Sequence, residues 1–538
     1  MVRKKTLFNS VNLIYIAVLL ISILAILPLL SIIINSLHYN LNLSSFIFND
    51  ILRYIINSLN ILFYVIFFTS IFGVVSAYLV SFFDFLGSRF FKYALILSFA
   101  IPPYIYGYSL SAFFENFGTG YSLINFFSHT ANPNSYLPNF SPIINVIISL
   151  SFTSYGYVFI LSKTSFSNQS QNLLDLGKNL GFSPLQRFYK IVLPSARPGI
   201  IVGLSLVAME TLSDFGTVSY FGISTFTTGI YNSWFIFDDL HTSNFLSLVL
   251  LGFVLIFLIV EKLSRKTSKF HKLSNDAIIK KKKLDGITGF FAFLFCFLLF
   301  LFSFLFPFSQ MLFWSLKFPE YYANLNLLNL NLNTFFLIFC TSSLLILFSF
   351  ISNFGNRSIK SKFLNLISNL SISGYAIPGI IISVSIITFI SFLDNYLGIN
   401  IKTVLIGSSI GLIFGYFFRF YSISYNGIKS NYIKINYSID EGAYLMGYNK
   451  FYTFSKIHWP IMRNNIFFIF ILISLEIIKE LPITLILRPF NFETFSTKAY
   501  NFASQDLIEA AAIPSIFLIF WASVFILISF KYFFQNDK

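Results

Sequence analysis

Long apolar stretches separated by short polar ones run the whole length of the chain, near 12–36, 54–81, 89–113, 141–163, 197–221, 244–262, 288–316, 334–353, 363–391, 401–423, 463–485 and 508–532. A hydrocarbon core about 30 Å thick takes roughly 20 apolar residues in helical form, so each stretch predicts one membrane-spanning helix. Backbone polar groups in lipid must be paired within their own segment. The pattern therefore predicts an all-α integral membrane protein of about 12 transmembrane helices, six on either side of a polar, basic segment at 262–287. That segment divides the chain into a first unit, 1–261, and a second, 288–538. An even number of spans brings both units into the membrane from the same side, as parallel repeats about an axis along the membrane normal, with a path expected between them.

The polar positions carry a repeat of their own. Residues 175–194 read D-L-G-K-N-L-G-F-S-P-L-Q-R-F-Y-K-I-V-L-P, and residues 441–460 read E-G-A-Y-L-M-G-Y-N-K-F-Y-T-F-S-K-I-H-W-P. Asp175 and Glu441, Gly181 and Gly447, Ile191 and Ile457, and Pro194 and Pro460 are each separated by 266 residues. A fixed offset of about half the chain marks a duplicated unit. Each copy predicts a short helix, a turn at the glycine, and a second short helix closed by the proline, which would open the next span.

Composition agrees with a membrane setting: 56% of residues are hydrophobic and 11% charged, with a mean hydropathy of +0.75. The net charge of +15 is spread over loops, which fits the retention of basic loops in the cytoplasm better than nucleic-acid binding. Arg3, Lys4 and Lys5, then Arg89 and Lys92, then Lys163, Lys178, Arg187, Lys190 and Arg197 alternate with loops at 114–140 and 222–243 that lack Lys and Arg. Both repeated loops and both termini are accordingly expected in the cytoplasm, with Lys280 to Lys283 near anionic lipid. The first apolar run lacks a small-residue cleavage pattern and reads as a retained span. Cys296 and Cys340 fall in or beside spans and are assigned no chemistry. The 73 phenylalanines fit the base composition of an AT-rich genome better than an aromatic box.

Charges inside spans are costly and normally face a bundle interior or water with a partner. Glu210 and Asp214 match Glu476 and Glu480 at the same 266-residue offset. Spacing of i and i+4 puts each pair on one helical face, and Lys479 lies where it could neutralise Glu476. These four side chains are candidates for lining the path, and hard cations favour such oxygen ligands. The other reading keeps them as structural charges at the interface between halves. Tyr104, Tyr106 and Tyr108 alternate over different helical faces and are weaker candidates.

The repeated loop resembles the EAA loop of importer permease subunits of the ATP-binding-cassette superfamily, E-A-A-x3-G-x9-I-x-L-P. That resemblance implies a type I permease fold and an ATPase-docking role for Asp175, Gly177, Gly181, Ile191, Leu193 and Pro194 in the first copy. In the second it implies the same for Glu441, Gly442, Ala443, Gly447, Ile457, Trp459 and Pro460. Asp175, Leu176 and Gly177 stand where Glu, Ala and Ala are usual, Gly442 replaces the first alanine of the second copy, and Trp459 its leucine. The segments M-E-T-L-S-D-F-G-T-V-S-Y-F-G-I-S-T-F-T-T-G-I-Y at 209–231 and L-E-I-I-K-E-L-P-I-T-L-I-L-R-P-F-N-F-E-T-F-S-T-K-A-Y at 475–500 resemble those of fused, double-length ferric-iron permeases. So do A-I-P-P from Ala100 to Pro103 and A-I-P-G from Ala376 to Gly379.

The resemblance implies two copies of an ATPase subunit beneath the loops at 164–196 and 424–462, an extracytoplasmic ferric-iron-binding protein, and a place in the bacterial inner membrane. No G-x-x-x-x-G-K-[ST] phosphate loop occurs, so ATP and Mg would be used by the partner subunit and no cofactor by this chain. H-E-x-x-H and paired-cysteine motifs are absent, and the five histidines are scattered; no catalytic or metal residue is assigned. His458 reads as solvated or packed. Thiamine, polyamine or phosphonate importers share the class, and an ion-driven secondary transporter using the membrane carboxylates is the rival from another class.

Overall fold

The computed structural model describes residues 2–37, 45–128, 133–266, 281–323, 325–359, 361–398 and 405–533. Among these, nine helices are long and apolar enough to cross a membrane, and the bent pair Leu13–Leu24 and Leu27–Ser36 makes a tenth span. The other two predicted spans have a different form. The stretch at 89–113 is split into Ser88–Ala94, a 3-10 turn Leu95–Ala100 and a helix Pro103–Phe114. Its counterpart at 363–391 breaks the same way, into Lys362–Leu370, Ser371–Ala376 and Gly379–Leu397. The cause is Pro102 and Pro378, which push the preceding Ile101 and Ile377 to extended ψ values of 111° and 129°. The stretch at 401–423 becomes Ser409–Lys434, a more polar helix that buries Arg419.

Among the described residues, these ten spans with the broken stretch at 89–113 and the polar helix Ser409–Lys434 thus form an all-α membrane fold. The expectation that Pro194 and Pro460 open new helices needs correction. Each lies inside a continuous helix, Pro184–Ser213 and Lys450–Lys479, just after the π-helical stretches Phe188–Val192 and Thr453–His458. A proline removes one backbone donor and crowds the carbonyl four residues earlier. The wider π turn takes up that misfit without ending the helix.

The spans predicted at 197–221 and 463–485 do end early. Their helices stop at Ser213 and Lys479, and short helices Gly216–Tyr220 and Pro482–Leu487 follow after a change of direction.

The two halves interlock through their first spans. Ser22 and Ser31 reach Ser368 (3.5 Å) and the carbonyl of Ser385 (3.1 Å), and a Cβ on Gly355 would sit 2.4 Å from Val18. In return, Gln310 and Trp314 of the helix Phe306–Lys317 donate to Thr119 at 2.7 and 2.9 Å, and Ser303 meets Tyr155 at 3.2 Å. The covalent boundary is therefore not a spatial one. The end of the connecting segment is also fastened: Lys282–Lys283 pairs in parallel with Phe83–Asp84, and Lys281 donates to the Val80 carbonyl at 2.8 Å. Residues 267–280 lie outside the described residues.

Small residues let spans approach closely, the usual device where lipid removes the hydrophobic drive between helices. Gly73 and Gly203 straddle Val158; an added Cβ would fall 2.5 Å from its Cβ or 2.9 Å from its Cα. Gly73→Val should cost about 1–3 kcal/mol by overpacking and lower the melting temperature in detergent. Gly252→Val, where a Cβ meets nothing within 4 Å, should leave it unchanged. Equal melting of the two variants would refute the packing account.

Candidate translocation site and coupling loops

The two helix ends that interrupt the spans share one architecture. At Asp214 and Glu480 the backbone turns extended, with ψ of 128° and 123°. Each carboxylate then accepts from the start of the short helix that follows, Asp214 from the Val218 N–H (3.1 Å) and Thr217 hydroxyl (2.9 Å), Glu480 from the Ile483 N–H (3.2 Å). Their own carbonyls accept from Thr227 at 2.7 Å and Ser496 at 2.8 Å. Thr225 and Thr494 form matching capping boxes on the next helices, Phe226–Phe235 and Phe495–Ala503. Asn57 and Asn333 then hold the incoming loops through the carbonyls of Ser224 (2.8 Å) and Glu493 (3.0 Å). The breaks are built twice on one plan.

They also face one another. A Cβ on Gly216 would lie 2.7 Å from Leu481 across the interface between halves. Beside this contact is a cavity of about 100 Å³ lined by Pro102, Pro103, Tyr104, Tyr157, Glu210, Asp214, Arg419, Glu476, Lys479 and Glu480, among others. All four carboxylates singled out from sequence thus line one space. Asp214 and Glu480 do so from broken backbone, however, and not from the continuous helical face that the i, i+4 spacing predicted.

Four carboxyl groups share the cavity with two cations. Lys479 pairs with Glu476 at 3.4 Å and Arg419 with Glu480 at 3.4 Å, while Tyr157 donates to Glu210 at 3.5 Å. Gly379 makes room for the arginine pair, since a Cβ there would lie 2.3 Å from Arg419 Nη1 and 2.7 Å from Glu480 Oε1. Sequence reading missed Arg419, whose partner Glu480 is 61 residues away in the chain. It also undervalued Tyr104, which is buried, lines the cavity and reaches the Lys479 carbonyl at 3.4 Å. Tyr106 and Tyr108 are buried against Phe152 and Tyr220 instead.

At one end of the bundle lie the repeated loops. Both have the helix, turn, helix form, Gln171–Asn179 and Tyr437–Leu445 leading to Gly181 and Gly447 at φ of 73° and 83°. A left-handed backbone there is what requires glycine. Each turn closes with the same bond, Phe182 N–H to Gly177 O at 3.0 Å and Tyr448 N–H to Ala443 O at 3.1 Å. Gly177 admits Ile191, whose Cδ1 would lie 2.5 Å from an added Cβ, and Ala443 is buried at the matching place. Asp175 pairs with Lys178 at 2.7 Å, whereas Glu441 is exposed.

Ile191, Leu193, Gly442 and Ile457 are half-buried, and Pro194, Trp459 and Pro460 are exposed. Leu180, Leu185, Leu445, Met446 and Phe451 are also exposed, the last three at 89%, 70% and 75%. Apolar side chains concentrated on two loops make a surface suited to a partner. His458 proves fully buried, at 2.8 Å from the Asp440 carboxylate.

Residues 69–269 match the family of binding-protein-dependent transport system inner membrane components. The chain is also 21% identical to the Fe(3+)-transport system permease protein FbpB 2 of Haemophilus influenzae over 86% of each chain. Over residues 69–269 the chain is thus similar to a binding-protein-dependent transport permease component. Other relatives are sulfate transport system permeases: the probable cysT protein of Chlorella vulgaris is 25% identical over 36% of this chain and 70% of its own length. CysT of Salmonella typhimurium is 24% identical over 28% and 52%. The chain thus matches the ferric relative along 86% of its length and these two sulfate relatives along about a third.

Removing one member of a buried ion pair leaves the other charge uncompensated, at a cost of about 3–5 kcal/mol. Arg419→Met should therefore lower the melting temperature of the detergent-solubilised protein, and the double variant Arg419→Met with Glu480→Gln should recover most of the loss. If the single variant melts like the parent, the Arg419–Glu480 pair carries no such energy.

Proposed function

We propose that this chain is the membrane path of an ATP-driven importer of ferric iron. The observation that carries the reading is the charge of the central cavity, where four carboxyl groups exceed two cations and phenolic hydroxyls add further oxygen donors. A hard cation favours such oxygen groups. A dianion such as sulfate would meet repulsion there, and so would a phosphonate. The likeness to a ferric permease over 86% of the chain supports the same choice.

In this reading the coupling loops at 164–196 and 424–462 each dock one copy of a separate ATPase subunit, which uses ATP and Mg. Asp175, Gly177, Gly181, Ile191, Leu193 and Pro194 shape one docking surface, and Glu441, Gly442, Ala443, Gly447, Ile457, Trp459 and Pro460 the other. An extracytoplasmic binding protein delivers iron to the opposite face, and both termini lie in the cytoplasm. Closure of the ATPase pair draws the loops together, and the cavity opens alternately to each side as one half moves against the other.

Uptake of radiolabelled ferric iron by importer-deficient cells carrying this chain, its ATPase and its binding protein tests the cargo. Accumulation that needs ATP hydrolysis and is not competed by unlabelled sulfate is expected. Competition by sulfate, thiamine or a polyamine instead of iron would reassign it. Gly447→Pro, which forbids the φ of 83°, and Glu441→Arg should each reduce uptake at least tenfold per ATP hydrolysed while the protein still inserts. Unchanged uptake per ATP in both would remove the docking role of the second loop.

A further inference from the structure

The two coupling loops are alike in backbone and unlike in what holds them. Behind the second loop, the Arg357 guanidinium sits 2.6 Å from the Asp440 carboxylate and donates to the carbonyls of Tyr432, Ile435 and Asn436 at 3.0, 2.9 and 3.1 Å. It lies over the ring of Tyr437, 4.2 Å from its centroid. The other oxygen of Asp440 meets His458 Nε2 at 2.8 Å, and His458 Nδ1 meets the Tyr432 hydroxyl at 3.4 Å. Arg357, Tyr432, Asp440 and His458 are all buried. One guanidinium therefore ties together the inner end of the long span Leu327–Ile359, the end of the helix Ser409–Lys434, and the first loop helix Tyr437–Leu445. Through Asp440 and His458 the tie continues to the π turn that leads into the span bearing Glu476.

The first half offers a direct comparison. The ring pair Tyr78 and Phe188 (4.7 Å) corresponds to Phe354 and Phe454 (5.3 Å), which fixes the registers of both elements. In those registers Arg357, Asp440, His458 and Tyr432 correspond to Ser81, Leu174, Val192 and Phe166. Every charged member of the cluster has an uncharged counterpart; Val192 and Phe166 belong to the apolar core, and the half-buried Leu174 packs against it. Polar ties described at this end of the first half are the Gln169 amide on the Val192 carbonyl at 2.9 Å and Lys281 on the Val80 carbonyl at 2.8 Å, neither of them a buried ion pair to the loop.

We propose that Arg357, Asp440 and His458 are positioning residues that clamp the second coupling loop to its spans, so that the two loops transmit ATPase movement unequally. The physical basis is directional. Apolar packing allows a loop to slide at small cost, whereas a buried, fully hydrogen-bonded ion cluster permits one geometry, because any displacement leaves a charge without its partner. The second loop moves as one body with the long span and with the helix that ends at Glu480, and the first loop yields. This inference rests on the docking role proposed above.

Transplanting the first-half residues as Arg357→Ser, Asp440→Leu and His458→Val tests it, because the trio removes all the cluster's charges together and restores an apolar packing that already exists in this chain. The full complex with ATPase and binding protein is assayed in proteoliposomes for ferric-iron uptake and ATP hydrolysis together. Uptake per ATP hydrolysed is expected to fall at least tenfold. A purely structural role would lower both activities in proportion to folded protein and leave that ratio unmoved. Should the trio fail to insert, His458→Phe, which keeps the Arg357–Asp440 pair and removes its link to the π turn, is expected to lower the ratio at least threefold. An unmoved ratio in the assayed variant, with Gly447→Pro uncoupling as expected, overturns the clamp and leaves docking intact. An unmoved ratio in Gly447→Pro as well overturns the docking reading itself.

Discussion

A charged side chain in a hydrocarbon slab must find a partner or water, and much of this molecule follows from that constraint. Glu210, Asp214, Glu476 and Glu480 lie in stretches otherwise apolar enough to span the bilayer. The fold gathers them between the halves with Arg419 and Lys479, which lowers the cost of each. Irregular backbone is tolerated at membrane depth where it is enclosed by protein or lines a cavity. The helix ends at Asp214 and Glu480 meet that condition, and the carboxylates satisfy the N–H groups that the breaks expose. Charge and broken helix thus require each other.

Duplication explains how such a device arises from one chain, and departures from duplication show where the halves have separate tasks. The carbonyl and capping bonds of the two breaks correspond throughout. The cations do not. Arg419 and Lys479 both come from the second half, where the first half has Thr153 and Ser213 at the same offset. The cluster behind the second coupling loop belongs to the same half. Both cavity cations are therefore supplied by the second repeat, while each repeat supplies two of the carboxylates. Exchange of the first spans then binds the two into one body.

Much of this was legible in the chain. Apolar run length gave the spans, because the bilayer sets that length, and the 266-residue offset gave the two loops and the four carboxylates. Helix continuity was harder. A hydropathy run cannot distinguish an unbroken span from one interrupted at Ile101 or Asp214, since the residues around the break are equally apolar. Nor can a proline's effect be read without its surroundings: Pro102 breaks a span, while a π turn keeps Pro194 within its helix. Arg419, Arg357 and Asp440 escaped because their partners are 61 and 83 residues away. Such pairs are settled by packing between distant elements, and local pattern does not carry them.

The central claim is that the cavity between the halves is the transport path, and its accessibility from each side tests this most directly. Ser213 lines the cavity and bonds to its own helix at the Met209 carbonyl, so Ser213→Cys, in a background with Cys296 and Cys340 replaced, places one reporter there. Labelling by a membrane-impermeant thiol reagent, added to either face of the reconstituted complex with and without ATP, is the measurement. The account predicts reaction from one face in the nucleotide-free complex and from the other in the ATP-bound one. Reaction confined to the same face in both states, or none in either, would contradict it.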